Sequence, residues 1–150
     1  MKNLTRTSLA VILLVLIGCG PVGSDNQAYQ QLSTADQAKF RKYLLLGKDI
    51  YKDKCASCHQ KNGKGLRGVI PPLAGADYLE NNQDGLPCLL RNATRDTIKV
   101  NGRLYPPQMP AHDLTNLELA EVITYINNSW GNEIGFMSVK RVDSLVQHCN

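Results

Sequence analysis

Cys55-Ala56-Ser57-Cys58-His59 constrains this chain more than any other stretch. Two thiols three positions apart can add to the two vinyl groups on one edge of a porphyrin, and the adjacent imidazole then reaches the iron from the same side. C-x-x-C-H is the attachment pattern of haem c. A dithiol redox site wants a strand-turn-helix context around its C-x-x-C, and a zinc site needs further ligands. The sequence offers neither. A chain that carries one covalent group of this size folds around it, so its loops can be long and irregular and still have something to pack against.

The first 18 residues read as a secretory leader. Lys2 and Arg6 give a basic start, and Leu9 to Ile17 is almost wholly aliphatic. That run is about half of the roughly 20 residues needed to span a bilayer. It ends in Leu16-Ile17-Gly18-Cys19, which resembles a bacterial lipobox, in which Cys19 becomes the first mature residue and carries the lipid. Export also places the chain where bacterial haem attachment occurs. The expected organisation is a leader over 1–18 that is removed, a tether over 19–32, a compact domain over 33–131 and an extension over 132–150. Losing the leader removes Lys2 and Arg6 and no acid, so a net charge of +4 falls to +2. The remaining cations are scattered rather than gathered on one stripe, which sets nucleic acid aside as a partner.

Residues 20–31 are rich in Gly, Ser, Asn, Gln and Pro and read as flexible. Ser33 followed by Asp36 is a helix-start pattern, since a hydroxyl accepts from free amides and an acid favours the positive end of the dipole. The helix should run to about Lys54, with Phe40, Tyr43, Leu44, Gly47, Ile50 and Tyr51 on one face. Gly47 in that stripe permits a close helix crossing. Thr115-Asn116-Leu117-Glu118 is a capping-box sequence and opens a second helix to about Trp130, burying Leu119, Val122, Ile123, Ile126 and Trp130. Shorter helices are expected around 76–82 and 86–100. No run alternates apolar and polar residues long enough to suggest a sheet. The fold class is therefore all-α with long irregular loops.

The other face of the iron needs a ligand. Pro106-Pro107-Gln108-Met109-Pro110 places a methionine 50 residues after His59, on a loop that proline stiffens. A neutral thioether favours ferrous iron and raises the potential. The rivals are His112, three residues on, and an open or water-bound site. Met137 reads as packing in the tail and His148 is almost terminal.

With these motifs in place the chain resembles a class I cytochrome c of the bacterial single-haem type, over about residues 35–131. Gly47-x-x-x-Tyr51 is similar to that family's first helix, and Pro71-Pro72-Leu73-Ala74-Gly75 to its P-x-L-x-G segment. The resemblance implies N- and C-terminal helices that cross, haem c packed among loops, and electron transfer through an exposed haem edge. It also implies that the Pro71 carbonyl accepts a hydrogen bond from the free ring nitrogen of His59, which makes the histidine a stronger donor. Tyr125 to Asn132 is similar to the last helix of cytochrome domains found beside bacterial oxidoreductases, including ones fused to copper nitrite reductases. Redox partner proteins follow from that likeness, with a monomer expected outside any complex.

Two features depart from the pattern. Cys88 and Cys149 are left over, and in an oxidising compartment they are most economically read as a disulfide, a reactive thiol pair being the alternative. The tail beyond Asn132 continues past the usual end of the fold, and Val139, Val142, Leu145 and Val146 have helical spacing. Lys52, Lys54, Lys61 and Lys64 flank the haem motif as a solvated face, or steer an acidic partner. Asn92-Ala93-Thr94 has the form of a glycosylation acceptor, a chance match in a bacterial lipoprotein. The expected function is electron transfer by a membrane-anchored carrier that is not an enzyme. Its alternatives are a haem-bearing subunit of a dehydrogenase or terminal reductase, and a peroxidase or gas-binding protein with an open sixth site.

Overall fold

The computed structural model describes residues 25–149; the leader over 1–18, the lipidation candidate Cys19 and Gly20 lie outside them. Helix α1 (Gln27–Gln30) is one turn, capped by the Asn26 side chain, which accepts from the Tyr29 amide. Residues 27–30 were expected to be part of a tether. The turn forms because Tyr29 is buried against Phe40, with ring centroids 5.5 Å apart. A tether reading from composition overlooks one aromatic side chain with a place to go.

Helix α2 (Thr34–Lys54) starts where Ser33 and Asp36 place it, with the Ser33 hydroxyl accepting from the Asp36 amide. Helix α6 (Asn116–Asn127) opens with the full capping box between Thr115 and Glu118. These two helices cross face to face, and Gly47 lies at the crossing: a Cβ there would fall 2.1 Å from the Glu121 carbonyl oxygen. The backbones approach as closely as a missing side chain allows. Leu119, Val122 and Ile123 are completely or almost completely buried in the main core, while Phe40, equally buried, packs with Tyr29 and Leu44 in a second, smaller cluster.

Between them run α3 (Ala56–His59), α4 (Asp77–Asn81) and α5 (Leu86–Asn92), followed by an antiparallel hairpin of β1 (Ile98–Val100) and β2 (Arg103–Tyr105). The hairpin corrects the expectation of helix through residue 100. Ala93 takes a left-handed φ of 69° and ends α5. Asn101 (φ 49°) and Gly102 (φ 79°) then supply the two left-handed positions that a two-residue hairpin turn demands. Asp77 and Asn101 clamp the turn onto α4, each backbone N–H donating to the other's side-chain oxygen at 3.0 and 2.7 Å.

Helix α6 stops at Asn127, before Trp130. The Asn128 amide and Ser129 hydroxyl turn back onto the Thr124 and Tyr125 carbonyls, the competition with helix hydrogen bonding that these side chains favour. Trp130 takes φ 57° and leaves the helix axis. Its ring packs over Gly63 and against Tyr51 and Tyr125, and its Nε1 donates to the Lys61 carbonyl. The tail then returns along α6, where the Thr124 hydroxyl exchanges hydrogen bonds with the Met137 backbone and the Met137 side chain is fully buried. Helix α7 (Val139–Val146), capped by Ser138, buries Val142. A disulfide joins Cys88 on α5 to Cys149, with Cα atoms 5.3 Å apart. No helix among the described residues is long and apolar enough to cross a membrane.

Candidate metal centre

The C-x-x-C-H residues sit on the short turn that follows α2. The His59 and Cys58 amides both donate to the Cys55 carbonyl, at 2.9 and 3.2 Å, so one helical turn brings Cys55, Cys58 and His59 to the same side. The turn is held from both ends. The Tyr51 hydroxyl donates to the Gln60 carbonyl at 2.6 Å, and the Gly65 amide donates to the His59 carbonyl at 3.0 Å. Gly65 has φ 61°, and a Cβ on it would meet the Ile70 oxygen at 2.4 Å. Only glycine allows the 66–70 loop to fold back so tightly.

That fold-back delivers Pro71. Its carbonyl lies 3.1 Å from His59 Nδ1; with Nδ1–H as donor, Nε2 keeps its lone pair for a metal. Burial holds the imidazole below its usual pKa, with the Pro71 bond pulling the other way. A neutral ring is the form that ligates. Asn132 fixes the segment after Pro71 from the far side, its amide donating to the Leu73 and Ile126 carbonyls while its oxygen accepts from the Gly75 amide.

Met109 reaches the same clefts as His59 from a later segment of the chain. Thr94, just after α5, grips its backbone: the Met109 amide donates to Thr94 Oγ1 at 3.0 Å, and the Thr94 amide donates to the Met109 carbonyl at 3.1 Å. The His112 amide donates to the Leu90 carbonyl, which ties the end of the same loop to α5. Met137 and His148 are elsewhere, the first in the core and the second on α7's exposed end, where its Nδ1 lies 3.0 Å from the Ser144 carbonyl. His112 lines the same cavity as His59 and Met109, half-buried, its pKa lowered by burial and by Lys54.

Cys55, His59, Pro71, Ile98 and Met109 border two adjoining clefts. The inner one is walled by apolar groups including Leu79, Leu86, Leu90 and Val122. The outer one opens past Cys58, Lys54 and His112. Cys55 and Cys58 are both free thiols, the first buried and pushed up to about 11 by that burial. Two unpaired thiols and a neutral imidazole beside an apolar cleft fit a covalently attached haem, and Met109 or His112 on the same cleft could supply a further ligand.

Three contributors were not read from the sequence. Thr94 was seen only as part of Asn92-Ala93-Thr94, Asn132 only as part of a helix end, and the Tyr51 hydroxyl only as part of an apolar stripe. Each acts through a bond to the backbone of another segment, 9 residues away for Tyr51, 15 for Thr94 and 57 and 59 for Asn132, that carries no local pattern. The Asn101-Gly102 pair between Val100 and Arg103 was a legible turn signal that the helix expectation overrode.

A family model described as Cytochrome c matches residues 44–130. Cytochrome c-552 of Thermus thermophilus is 37% identical over 91 residues, covering 57% of this chain and 69% of that protein. The cytochrome c subunit of a quinone alcohol dehydrogenase from Gluconacetobacter polyoxogenes is 28% identical over 123 residues, which is 75% of this chain and 25% of the subunit. The gluconate 2-dehydrogenase cytochrome c subunit of Pantoea cypripedii is 30% identical over 89 residues, 57% of this chain and 20% of its own length.

Proposed function

The chain belongs to the cytochrome c family, whose members carry covalently attached haem c and transfer electrons, and on that premise we propose that it is a single-haem carrier with His59 and Met109 as axial ligands, anchored to a membrane through Cys19. Haem c supplies a one-electron ferrous/ferric couple when bound. Cys55 and Cys58 hold it through thioethers, and the Pro71 carbonyl orients His59 and strengthens it as a donor. Thr94 limits the travel of Met109, so both ligands keep their places in either oxidation state. The apolar inner cavity excludes water, which favours the less charged ferrous form.

The single observation that carries this reading is that Met109, clamped by Thr94, and His59, oriented by Pro71, border the same two cavities. With His59 and Met109 both holding the iron of a bound haem, no position would be left for oxygen or peroxide, which makes the protein a carrier and not an enzyme. The lipid on Cys19 holds the domain on a membrane facing the periplasm or cell exterior, and Gly20 in place of an aspartate favours an outer membrane. The test is carbon monoxide binding to the reduced holoprotein: the proposal expects none on mixing, whereas ready binding moves a gas-binding or peroxidase role ahead.

A second reading, a resident subunit of a dehydrogenase, draws on the names of two relatives, which are cytochrome c subunits of alcohol and gluconate dehydrogenases. Purification in mild detergent separates the two readings. A shuttle emerges alone, and a subunit brings its partner with it.

A further inference from the structure

Resting on the electron-carrier reading, we propose that the Cys88–Cys149 disulfide is a redox latch on the iron's sixth position. Closed, it helps to keep Met109 in place; opened by a dithiol, it lets Met109 leave and a small neutral gas such as carbon monoxide bind instead. The disulfide joins α5 to the end of the tail, and α5 is the element from which the methionine loop hangs. Its Leu90 carbonyl accepts from the His112 amide at 3.0 Å. Thr94, two residues beyond its end, bonds the Met109 backbone through its hydroxyl and its amide at 3.0 and 3.1 Å.

Helix α5 has little of its own to hold it. It is seven residues long, its N-terminus has no side-chain cap, and it ends at Ala93 with a left-handed φ of 69° that a residue bearing a Cβ adopts only at a cost. A helix this short depends on what it packs against and what it is tied to. Leu86, Pro87 and Leu90 supply the packing, and Cys88 between them supplies the covalent tie. On the other side α7 keeps its own seat, since Val142 is fully buried and Asn116 donates to Asp143 at 2.6 Å. Arg91 still ties the last turn of α5 by donating to Asn116 at 2.5 Å. Opening the disulfide therefore loosens α5 and the loop it carries without unseating the tail.

The disulfide is placed to be opened. Cys88 and Cys149 are half-buried, and Cys88 borders an open groove together with Ala93, Thr94 and Arg95. One groove thus touches both the disulfide and the residue that grips Met109. A thiolate of the dithiol attacks one sulfur, and the other leaves as a thiolate and takes a proton. The dithiol's second thiolate then displaces the remaining cysteine, which is protonated in turn. Two thiols form here, the dithiol becomes a disulfide, and the two electrons pass without a change at iron. A loss of hold equal to one hydrogen bond frees the sixth position about five- to tenfold more often.

The test is the rate of slow carbon monoxide uptake by the ferrous holoprotein, first in ascorbate, which reduces the iron and leaves disulfides closed, then with excess dithiothreitol added. Iodoacetamide labelling followed by mass measurement reports how far the disulfide has opened. Support is uptake about five- to tenfold faster in the opened protein, the same fast uptake in Cys88→Ser/Cys149→Ser with no response to dithiothreitol, and nuclear magnetic resonance amide shifts that reach Thr94, Met109 and His112. The proposal is overturned by a disulfide that excess dithiothreitol leaves closed, by uptake that does not change on opening, or by amide shifts that stop beside Cys88 and Cys149. Gly47→Ala loosens the α2–α6 crossing with the disulfide intact and should keep the wild-type uptake; equal acceleration there would make general instability the cause and sink the latch. Failure of the electron-carrier reading is seen separately, as ready carbon monoxide binding in ascorbate alone with the disulfide closed.

Discussion

Gly47→Ala probes the geometry on which the rest of the molecule is hung. The added Cβ would stand 2.1 Å from the Glu121 carbonyl oxygen, 2.6 Å from its carbon and 2.9 Å from Tyr125 Cβ. Atoms in contact sit at about 3.5 Å or more, so the shortest of these contacts lacks about 1.4 Å. Two of the three atoms are backbone and cannot rotate aside. Helices α2 and α6 must part, which loosens Leu119, Val122 and Ile123. Alanine gains about 0.5–1 kcal/mol over glycine inside a helix, and overpacking costs about 1–3 kcal/mol. Backbone meeting backbone belongs at the upper end, so the net loss is about 2 kcal/mol. For a domain near 100 residues that lowers Tm by about 10 °C. Thermal unfolding of the ferric holoprotein, followed by far-ultraviolet circular dichroism, reads this directly. Gly85→Ala is the control, because Gly85 has φ −83° and its nearest neighbour to a Cβ is at an ordinary 3.6 Å. A Gly47→Ala protein as stable as wild type would refute the close-crossing argument.

Three further outcomes follow from the same structure. Cys88→Ser/Cys149→Ser opens a link across 61 residues of sequence and should cost up to about 4 kcal/mol in denaturant unfolding; a cost below about 1 kcal/mol contradicts a clamping role. Thr94→Val removes the hydroxyl that accepts from the Met109 amide, and a loss of about 1 kcal/mol should make the sulfur leave the iron at lower denaturant than in wild type, before global unfolding. An unchanged midpoint for that step would dismiss Thr94 as a clamp. Glu121 is buried with Oε1 unpartnered, and burial raises its pKa against the pull of Lys42 and with help from Glu118, while Tyr43 faces it from α2. A folded pKa above the unfolded one makes the associated stability full below the unfolded value, about 4.3, and lost as pH climbs through the folded value. Glu121→Gln should therefore gain on wild type from acid to neutral pH; a gap that does not vary with pH is the contrary result.

Much of the candidate site was proposed from the sequence because its chemistry is local. The C-x-x-C-H spacing, the proline-bound methionine and the two capping signals each specify a few adjacent residues, and the long helices begin where Ser33 and Thr115 place them. What escaped reading depends on partners far away along the chain. Tyr29 turns part of a polar stretch into helix because Phe40 offers it a surface. Trp130 continues the apolar stripe of α6 on paper, yet it leaves the helix once Asn128 and Ser129 claim the backbone. Thr94 and Asn132 bridge to segments 15 and 57 residues distant, and nothing in their own neighbourhoods announces it.

The central claim is that Met109 is the sixth ligand. The measurement is the absorption spectrum of the ferric holoprotein, at the weak band near the red end that reports an iron to methionine sulfur bond, in wild type, Met109→Ala and His112→Ala. The account predicts a band in wild type and His112→Ala that is missing in Met109→Ala. A wild type without it, or a Met109→Ala protein that keeps it, contradicts the assignment.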